Sequence, residues 1–236
     1  GMFGAGILRD YQGDDQYLHT GFYGEGAALA GVGLLIDDKG NDRYSCGTHS
    51  QGIGMTLGVG LLIDKEGNDS YHAAADDPEA FSSAWGRPVS FAQGVGLGRR
   101  ADFDDGHSLG GGIGGLIEGA GDDIYDSGIF SQGSGYWYGF GFVEDLGGND
   151  TYRAMAYSQG SGVHYAVGSL CDLSGNDRYN FQDGVKGIPF SKQLGSSRDG
   201  SIGVFHDGAG DDTYVIADLM CGAGDITGVG LFWDRM

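Results

Sequence analysis

Gly40-Asn41-Asp42-Arg43-Tyr44 reads glycine, Asn or Asp, Asp, any residue, Tyr, and the chain writes that word seven times, beginning at Gly13, Gly40, Gly67, Gly121, Gly148, Gly175 and Gly210. The intervals between copies are 27, 27, 54, 27, 27 and 35 residues, so five of the six are whole multiples of 27. A fixed period of this size marks a repeat array, in which each unit buries its apolar face by stacking on its neighbours.

Laying the copies over one another lets each position report its own constraint. Upstream of each of the seven copies stands a glycine (Gly6, Gly33, Gly60, Gly114, Gly141, Gly168 and Gly203), and Gly230 continues the column; the backbone there is approached too closely for a Cβ or held at positive φ. Two residues on come Leu8, Leu35, Leu62, Leu116, Val143, Leu170, Phe205 and Phe232, a core column. Two further on every copy is acidic: Asp10, Asp37, Asp64, Glu118, Asp145, Asp172, Asp207 and Asp234. The step of two is a strand period, and the intervening residue varies from Ile36 and Ile63 to Glu144, Cys171, His206 and Trp233, as an outward position does. The strand ends at the acid, turns through the glycine word, and enters a second strand carrying the Tyr. A third short strand follows Ser-Gln-Gly, as at Ser50 to Gly52, Ser131 to Gly133 and Ser158 to Gly160.

Three strands and three turns per 27 residues, without helical periodicity and with only 3 Pro, predict an all-β fold. It is a single-domain parallel β-helix (β-solenoid), three-sided, of about 27 residues per coil and eight or nine coils, spanning 1–236. Coils stacked at the strand spacing of about 4.8 Å make a rod of about 40 Å. The period breaks in an irregular or inserted region at 72–111, with a smaller insertion within 180–200.

The bulk properties bound the partners. A net charge of −20 leaves nothing to neutralise phosphates, which excludes nucleic acid and anionic membrane surfaces. Cations and neutral sugars stay open. No run of 18 apolar residues and no signal peptide occurs, so no membrane span is expected. Cys46, Cys171 and Cys221 fall at three different places in the repeat and form no disulfide framework. Both ends stop inside a repeat, at Gly4 to Asp10 and Gly228 to Asp234, so exposed strand edges are expected to pair end to end with another copy or with flanking sequence.

The acidic columns pose a physical problem. Stacked carboxylates about 5 Å apart repel by roughly 3 kcal/mol at an effective dielectric near 20, and the repulsion recurs at every coil. Two arrangements offset it. Each Asp caps its own turn by accepting backbone amides, with Tyr hydroxyls donating as well. Alternatively a line of calcium ions is held between coils by carboxylates and turn carbonyls, since hard oxygen ligands suit calcium. The candidate ligands are then Asp37, Asp42, Asp64, Asp69, Glu118, Asp123, Asp145, Asp150, Asp172, Asp177, Asp207 and Asp212.

Gly208-Ala209-Gly210-Asp211-Asp212-Thr213-Tyr214 and Gly119-Ala120-Gly121-Asp122-Asp123-Ile124-Tyr125 resemble the calcium-binding turn of the repeats-in-toxin β-roll. That resemblance implies calcium bound between successive turns, in a secreted protein. It covers the turn column and not the coil geometry, because the β-roll repeats its turn every nine residues. Copies such as Lys39-Gly40-Asn41-Asp42-Arg43-Tyr44 keep only the second half of the motif.

Breaks in a solenoid are where loops carry function. The first represents either a degenerate coil or two insertions flanking Gln93, and the two breaks hold six of the 13 basic residues: Arg87, Arg99, Arg100, Lys186, Lys192 and Arg198. Since both follow the Tyr column, they are expected to project from one edge and to border a groove. Candidate ligand-binding residues are Arg99, Arg100, Asp102, Asp104, Asp105 and His107 in the first break, with Trp137, Arg153, Tyr157 and His164 on the groove floor and a neighbouring column. An exposed Trp beside polar groups stacks on sugar rings, and parallel β-helices of the pectate-lyase type bind polysaccharides in such a groove; the alternative is that Tyr136 to Tyr138 pack between coils. No nucleophile elbow, phosphate loop or His-rich metal spacing occurs. Two functions follow as expectations: a noncatalytic extracellular or cell-surface module with a structural, adhesive or binding role, or a polysaccharide-acting lyase or hydrolase with its site near 72–111. The former's partners are carbohydrate or another surface protein.

Overall fold

The computed structural model describes residues 1–73, 88–180, 192–216 and 218–235. It is an all-β parallel solenoid of eight coils. Sheet A contains Ala5–Arg9, Val32–Ile36, Val59–Ile63, Ile113–Glu118, Phe140–Asp145, Val167–Asp172, Ile202–Asp207 and Val229–Asp234, one strand per coil. Sheet B contains Gln16–Phe22, Arg43–Thr48, Ser70–Ala73, Ile124–Ser127, Thr151–Arg153, Arg178–Tyr179 and Thr213–Tyr214. Sheet C contains the two-residue strands Gly54–Met55, Gly96–Leu97, Gly135–Tyr136, Gly162–Val163, Ser197–Arg198 and Gly224–Asp225, and Val89–Ala92 pairs separately with Ile129–Ser131. The chain runs A, B, C and back to A.

The interior is a wedge. Where sheet A begins, it touches sheet C: a Cβ placed on Gly141 would lie 2.0 Å from the Ser134 carbonyl oxygen, and on Gly114 2.0 Å from that of Val95. This close approach is why the first inward position is glycine in the strands from Val32–Ile36 onward; at Gly6, in the first coil, a Cβ would meet nothing nearer than 3.7 Å. Two residues on, the wedge opens enough for Leu35, Leu62, Leu116, Val143, Leu170 and Phe205, all buried against the Tyr column of sheet B. Tyr17, Tyr44, Tyr71, Tyr125, Tyr152, Tyr179 and Tyr214 stack with ring centroids 4.6 to 5.1 Å apart and planes within 7°.

The corner from B to C is made by successive left-handed residues, such as Gln51 at φ 51° before Gly52 at φ 78°. A non-glycine residue there costs about 1 kcal/mol or more. Its buried amide offsets that cost: Gln51, Gln93 and Gln132 donate from Nε2 to the carbonyls of His72, Tyr71 and Arg153 at 3.1, 3.0 and 2.8 Å.

The 54-residue interval holds no extra coil. Val59–Ile63 pairs directly with Ile113–Glu118, and Ser70–Ala73 with Ile124–Ser127. One insertion falls between sheet B and Val89, largely in 74–87, and the other between Gly96–Leu97 and Ile113. The segment 181–191 of the second break, with Lys186, and the segment 74–87, with Arg87, lie outside the described residues. The expectation that both breaks leave the Tyr column is corrected in one respect. The part carrying Arg99 to His107 leaves the corner from C to A, because it follows a sheet C strand, and it is closed by an antiparallel bridge between Arg99 and Leu109.

Candidate functional site

Two constellations stand out. The first is the acidic spine at the wide end of the wedge, where sheet A turns into sheet B. The backbone amide of each word Asp donates to the Oδ1 of the equivalent Asp one coil on: Asp15 to Asp42 and Asp42 to Asp69 at 2.5 Å, Asp69 to Asp123 and Asp123 to Asp150 at 2.6 Å, Asp150 to Asp177 and Asp177 to Asp212 at 2.7 Å. The preceding Asn or Asp forms a second ladder, with Asn68 N donating to Asn41 Oδ1 at 3.0 Å and Asn149 N to Asp122 Oδ1 at 2.9 Å. Capping thus comes mainly from the neighbouring coil. Own-turn capping survives where Asp37 and Asp145 accept the amides of Lys39 and Gly147 at 3.1 and 3.0 Å.

The strand-end acids take the tyrosine hydroxyls. Tyr17 donates to Asp37 and Tyr44 to Asp64 at 2.6 Å, Tyr125 to Asp145 at 2.7 Å, and Tyr152 to both Asp145 and Asp172 at 2.9 Å. Tyr71 donates to Glu118. Asp37, Glu118 and Asp145 thus have both oxygens engaged, whereas many of the other carboxylates have one engaged and the other idle. Oδ2 of Asp42, Asp69, Asp123, Asp150, Asp177 and Asp212, and Oδ1 of Asp64, Asp172 and Asp207, have no donor although they are enclosed.

Burial drives these acids toward their neutral forms: Asp42 and Asp207 rise to about 6, and Asp64 and Asp69 to about 7. Glu118, Asp123, Asp145, Asp150, Asp172 and Asp177 are raised as well, burial again being the main cause.

The donor set fits a cation. Oxygens of Asp37, Asp42 and Asp64 lie within 4.8 Å of one another, as do those of Asp64, Asp69 and Glu118, of Asp123, Asp145 and Asp150, and of Asp150, Asp172 and Asp177. Oxygens that close can share one ion with bonds of about 2.4 Å. The charge also matches, since each coil adds one strand-end acid and one word acid, which a single divalent cation neutralises.

The second constellation lies along the outside of sheet C and its corner to sheet A. Arg100 grips Asp102 with two bonds of 2.7 and 3.0 Å, lies 5.3 Å from the Trp137 ring centre, and donates to His164 Nε2 at 2.6 Å. On its other side His164 Nδ1 is 2.6 Å from Asp199 Oδ2. Burial and the Arg100 charge lower the His164 pKa, so the neutral ring donates from Nδ1 and accepts at Nε2. The network continues from Asp199 to Arg198 at 3.6 Å, to Asp225 at 3.7 Å, to Lys192 at 3.6 Å, and to the Tyr157 hydroxyl at 3.1 Å.

The structure therefore brings together Arg100, Asp102, Trp137, His164 and, through Lys192, Tyr157. Arg99, Asp104, Asp105 and His107 do not join them: Arg99 binds Asp105 at 2.7 Å, Asp104 at 3.3 Å and the His107 carbonyl at 2.6 Å, which closes their exposed loop. Arg153 is on sheet B, in register with Asp126, away from this network. Sequence reasoning missed Asp199 and Asp225 as partners. Asp199 stands inside the second break, whereas Asp225 carries no local signal because its partners lie 27 and 33 residues upstream.

No protein-family model matches the chain, and neither a curated protein nor a solved structure matches it.

Proposed function

We propose that the chain is a noncatalytic module of the cell surface or extracellular space, a stiff rod with a structural, adhesive or binding role whose acidic spine holds calcium. One observation carries the reading: two columns of enclosed carboxylates run the length of the rod with one oxygen of many left without a donor. In water each such oxygen would be solvated, and burying it unpaired costs several kcal/mol unless a proton or cation arrives. A divalent ion between coils supplies what both columns lack, and the resemblance of the turns to the calcium-binding β-roll supports the choice of calcium. Residues Asp37, Asp42, Asp64, Asp69, Glu118, Asp123, Asp145, Asp150, Asp172, Asp177, Asp207 and Asp212 would hold the ions. When bound, calcium supplies positive charge that locks adjacent coils. Partners on this reading are carbohydrate or another surface protein, with the open strand edges of the first and last coils paired by a further copy or by flanking chain.

The test is a thermal melt of metal-stripped protein with millimolar calcium, and magnesium as control. A rise specific to calcium is expected; equal curves in all three conditions would sink the reading.

A second reading is favoured by the hydrogen-bonded set Asp199, His164 and Arg100 beside Trp137. It is that of a polysaccharide-acting lyase or hydrolase in which Trp137 stacks a sugar, Arg100 binds an acidic group and His164 moves a proton through Nε2. Turnover of an acidic polysaccharide that disappears with His164→Ala, while the melting temperature holds, would establish it; absence of turnover across neutral and acidic polysaccharides would dismiss it.

A further inference from the structure

The outer face of sheet A is apolar from end to end. Its first outward column includes Val32, Ile113, Phe140 and Ile202, each 40 to 44 % exposed. The middle column is Ile7, Leu34, Leu61, Gly115, Phe142, Ser169, Val204 and Leu231, and the third begins Arg9, Ile36, Ile63 and Ile117. Across all outward positions of this sheet only Arg9, Glu144, Ser169 and His206 are polar. Sheet B shows that the same chain can write a solvated face: its outward residues include Gln16, Arg43, Ser70, Arg153 and Arg178. Strands that are apolar on both faces belong to parallel sheets covered on both faces.

We propose that the outer face of sheet A binds a second copy of this chain, sheet against sheet. Three observations choose that occupant. Eight strands at about 4.8 Å and six residues at about 3.3 Å give a face of roughly 750 Å², close to the about 800 Å² per partner of a stable complex. The register of sheet A is unbroken through all its pairings, so the face is regular enough to mate with its own copy at about 10 Å, as sandwich sheets do. The net charge of −20 rules against an anionic membrane as the occupant, and the face itself carries almost none of that charge, which leaves self-association unopposed where the surfaces meet. The pairing closes at two copies, because a shared face is used up on both. It does not depend on the cation reading.

Sedimentation equilibrium of the full chain tests it. A dimer is expected, strengthened by added salt that screens the two acidic bodies. Leu61→Lys with Phe142→Lys places charges at the centre of the face and is expected to raise the dissociation constant by at least about a hundredfold. Ser70→Lys with Thr151→Lys, on the outer face of sheet B, should leave the dimer intact. Should the first pair not fold, Leu61→Ser with Phe142→Ser gives the same readout with milder chemistry. A wild-type monomer at about 0.1 mM would overturn the proposal, as would a dimer that survives the sheet A substitutions. An open-ended polymer indifferent to them would also overturn it, since that is head-to-tail stacking.

Discussion

Asp150 has no exposed surface, accepts the Asp123 amide at 2.6 Å on one oxygen, has no donor to the other, and lies within 4.8 Å of carboxylate oxygens of Asp145 and Asp172. Burial raises the Asp150 pKa, so folding at pH 8 must either take up a proton there or bury a charge; a carboxamide keeps the acceptor, supplies N–H donors and requires neither. Asp150→Asn is therefore expected to raise the melting temperature of metal-free protein at pH 8 by about 3 to 6 °C, the equivalent of 1 to 2 kcal/mol in a chain this long. The same change removes a ligand, so the rise produced by calcium should shrink. Scanning calorimetry of both proteins with and without calcium checks the pair of effects, and a lower metal-free melting temperature would contradict the account. Tyr152 is the complementary case. Its hydroxyl bridges Asp145 and Asp172 at 2.9 Å on each side, so Tyr152→Phe keeps the ring stack but strips a donor from two buried acids. Denaturant unfolding should show a loss of about 1.5 to 3 kcal/mol, the range for hydrogen bonds to charged groups.

At the scale of the strand, the glycine column decides how closely two sheets approach. Gly141→Ala puts a methyl 2.0 Å from the Ser134 carbonyl, where rigid backbone and not a flexible side chain must move. Urea unfolding is expected to show a loss at the upper end of overpacking, about 3 kcal/mol, whereas Gly106→Ala, which meets nothing within 4 Å but sits at φ 76°, should lose no more than about 2 kcal/mol. The column was legible in the sequence because a missing Cβ repeats at a fixed period, and so were the Leu, Asp and Tyr columns whose constraint lies within one coil and its neighbours. Identity of the obstructing group was not, since sheet C follows a different turn. The capping of Asp69 by its own turn was a local reading; the amide that it accepts belongs to Asp42, in the preceding coil. Length left the first break undecided between a degenerate coil and two insertions, because two insertions at different corners add up to one period; direct pairing of the flanking strands decides for the insertions. His164 and Arg100, 64 residues apart, meet only because that second insertion folds back across the corner from C to A, which no spacing announces.

Over the whole rod the same two charges recur at each coil, so the spine titrates as a collective property. In the folded protein Asp42 and Asp207 lose their protons only near pH 6, and Asp64 and Asp69 near pH 7, against 3.8 for an ordinary Asp. Between those values the native state binds more protons than the unfolded chain, so the stability of metal-free protein must fall as pH rises from about 4 to about 7. Most proteins with ion-paired acids behave the other way, gaining stability over that interval. Calcium takes the place of the protons: by pH 8 Asp42, Asp64, Asp69 and Asp207 have given theirs up and are free to ligate it, while at pH 5 protons compete for the same oxygens, and at the more strongly raised Asp123, Asp150 and Asp172 calcium must displace the proton itself. The expected outcome is a metal-free melting temperature of order 10 °C lower at pH 8 than at pH 5, with the calcium-induced rise large at pH 8 and small at pH 5. Melts across that range with and without calcium measure both slopes. A metal-free curve that is flat or climbs with pH would mean the enclosed carboxylates carry their charge without cost, and the spine would lose its claim to hold a cation.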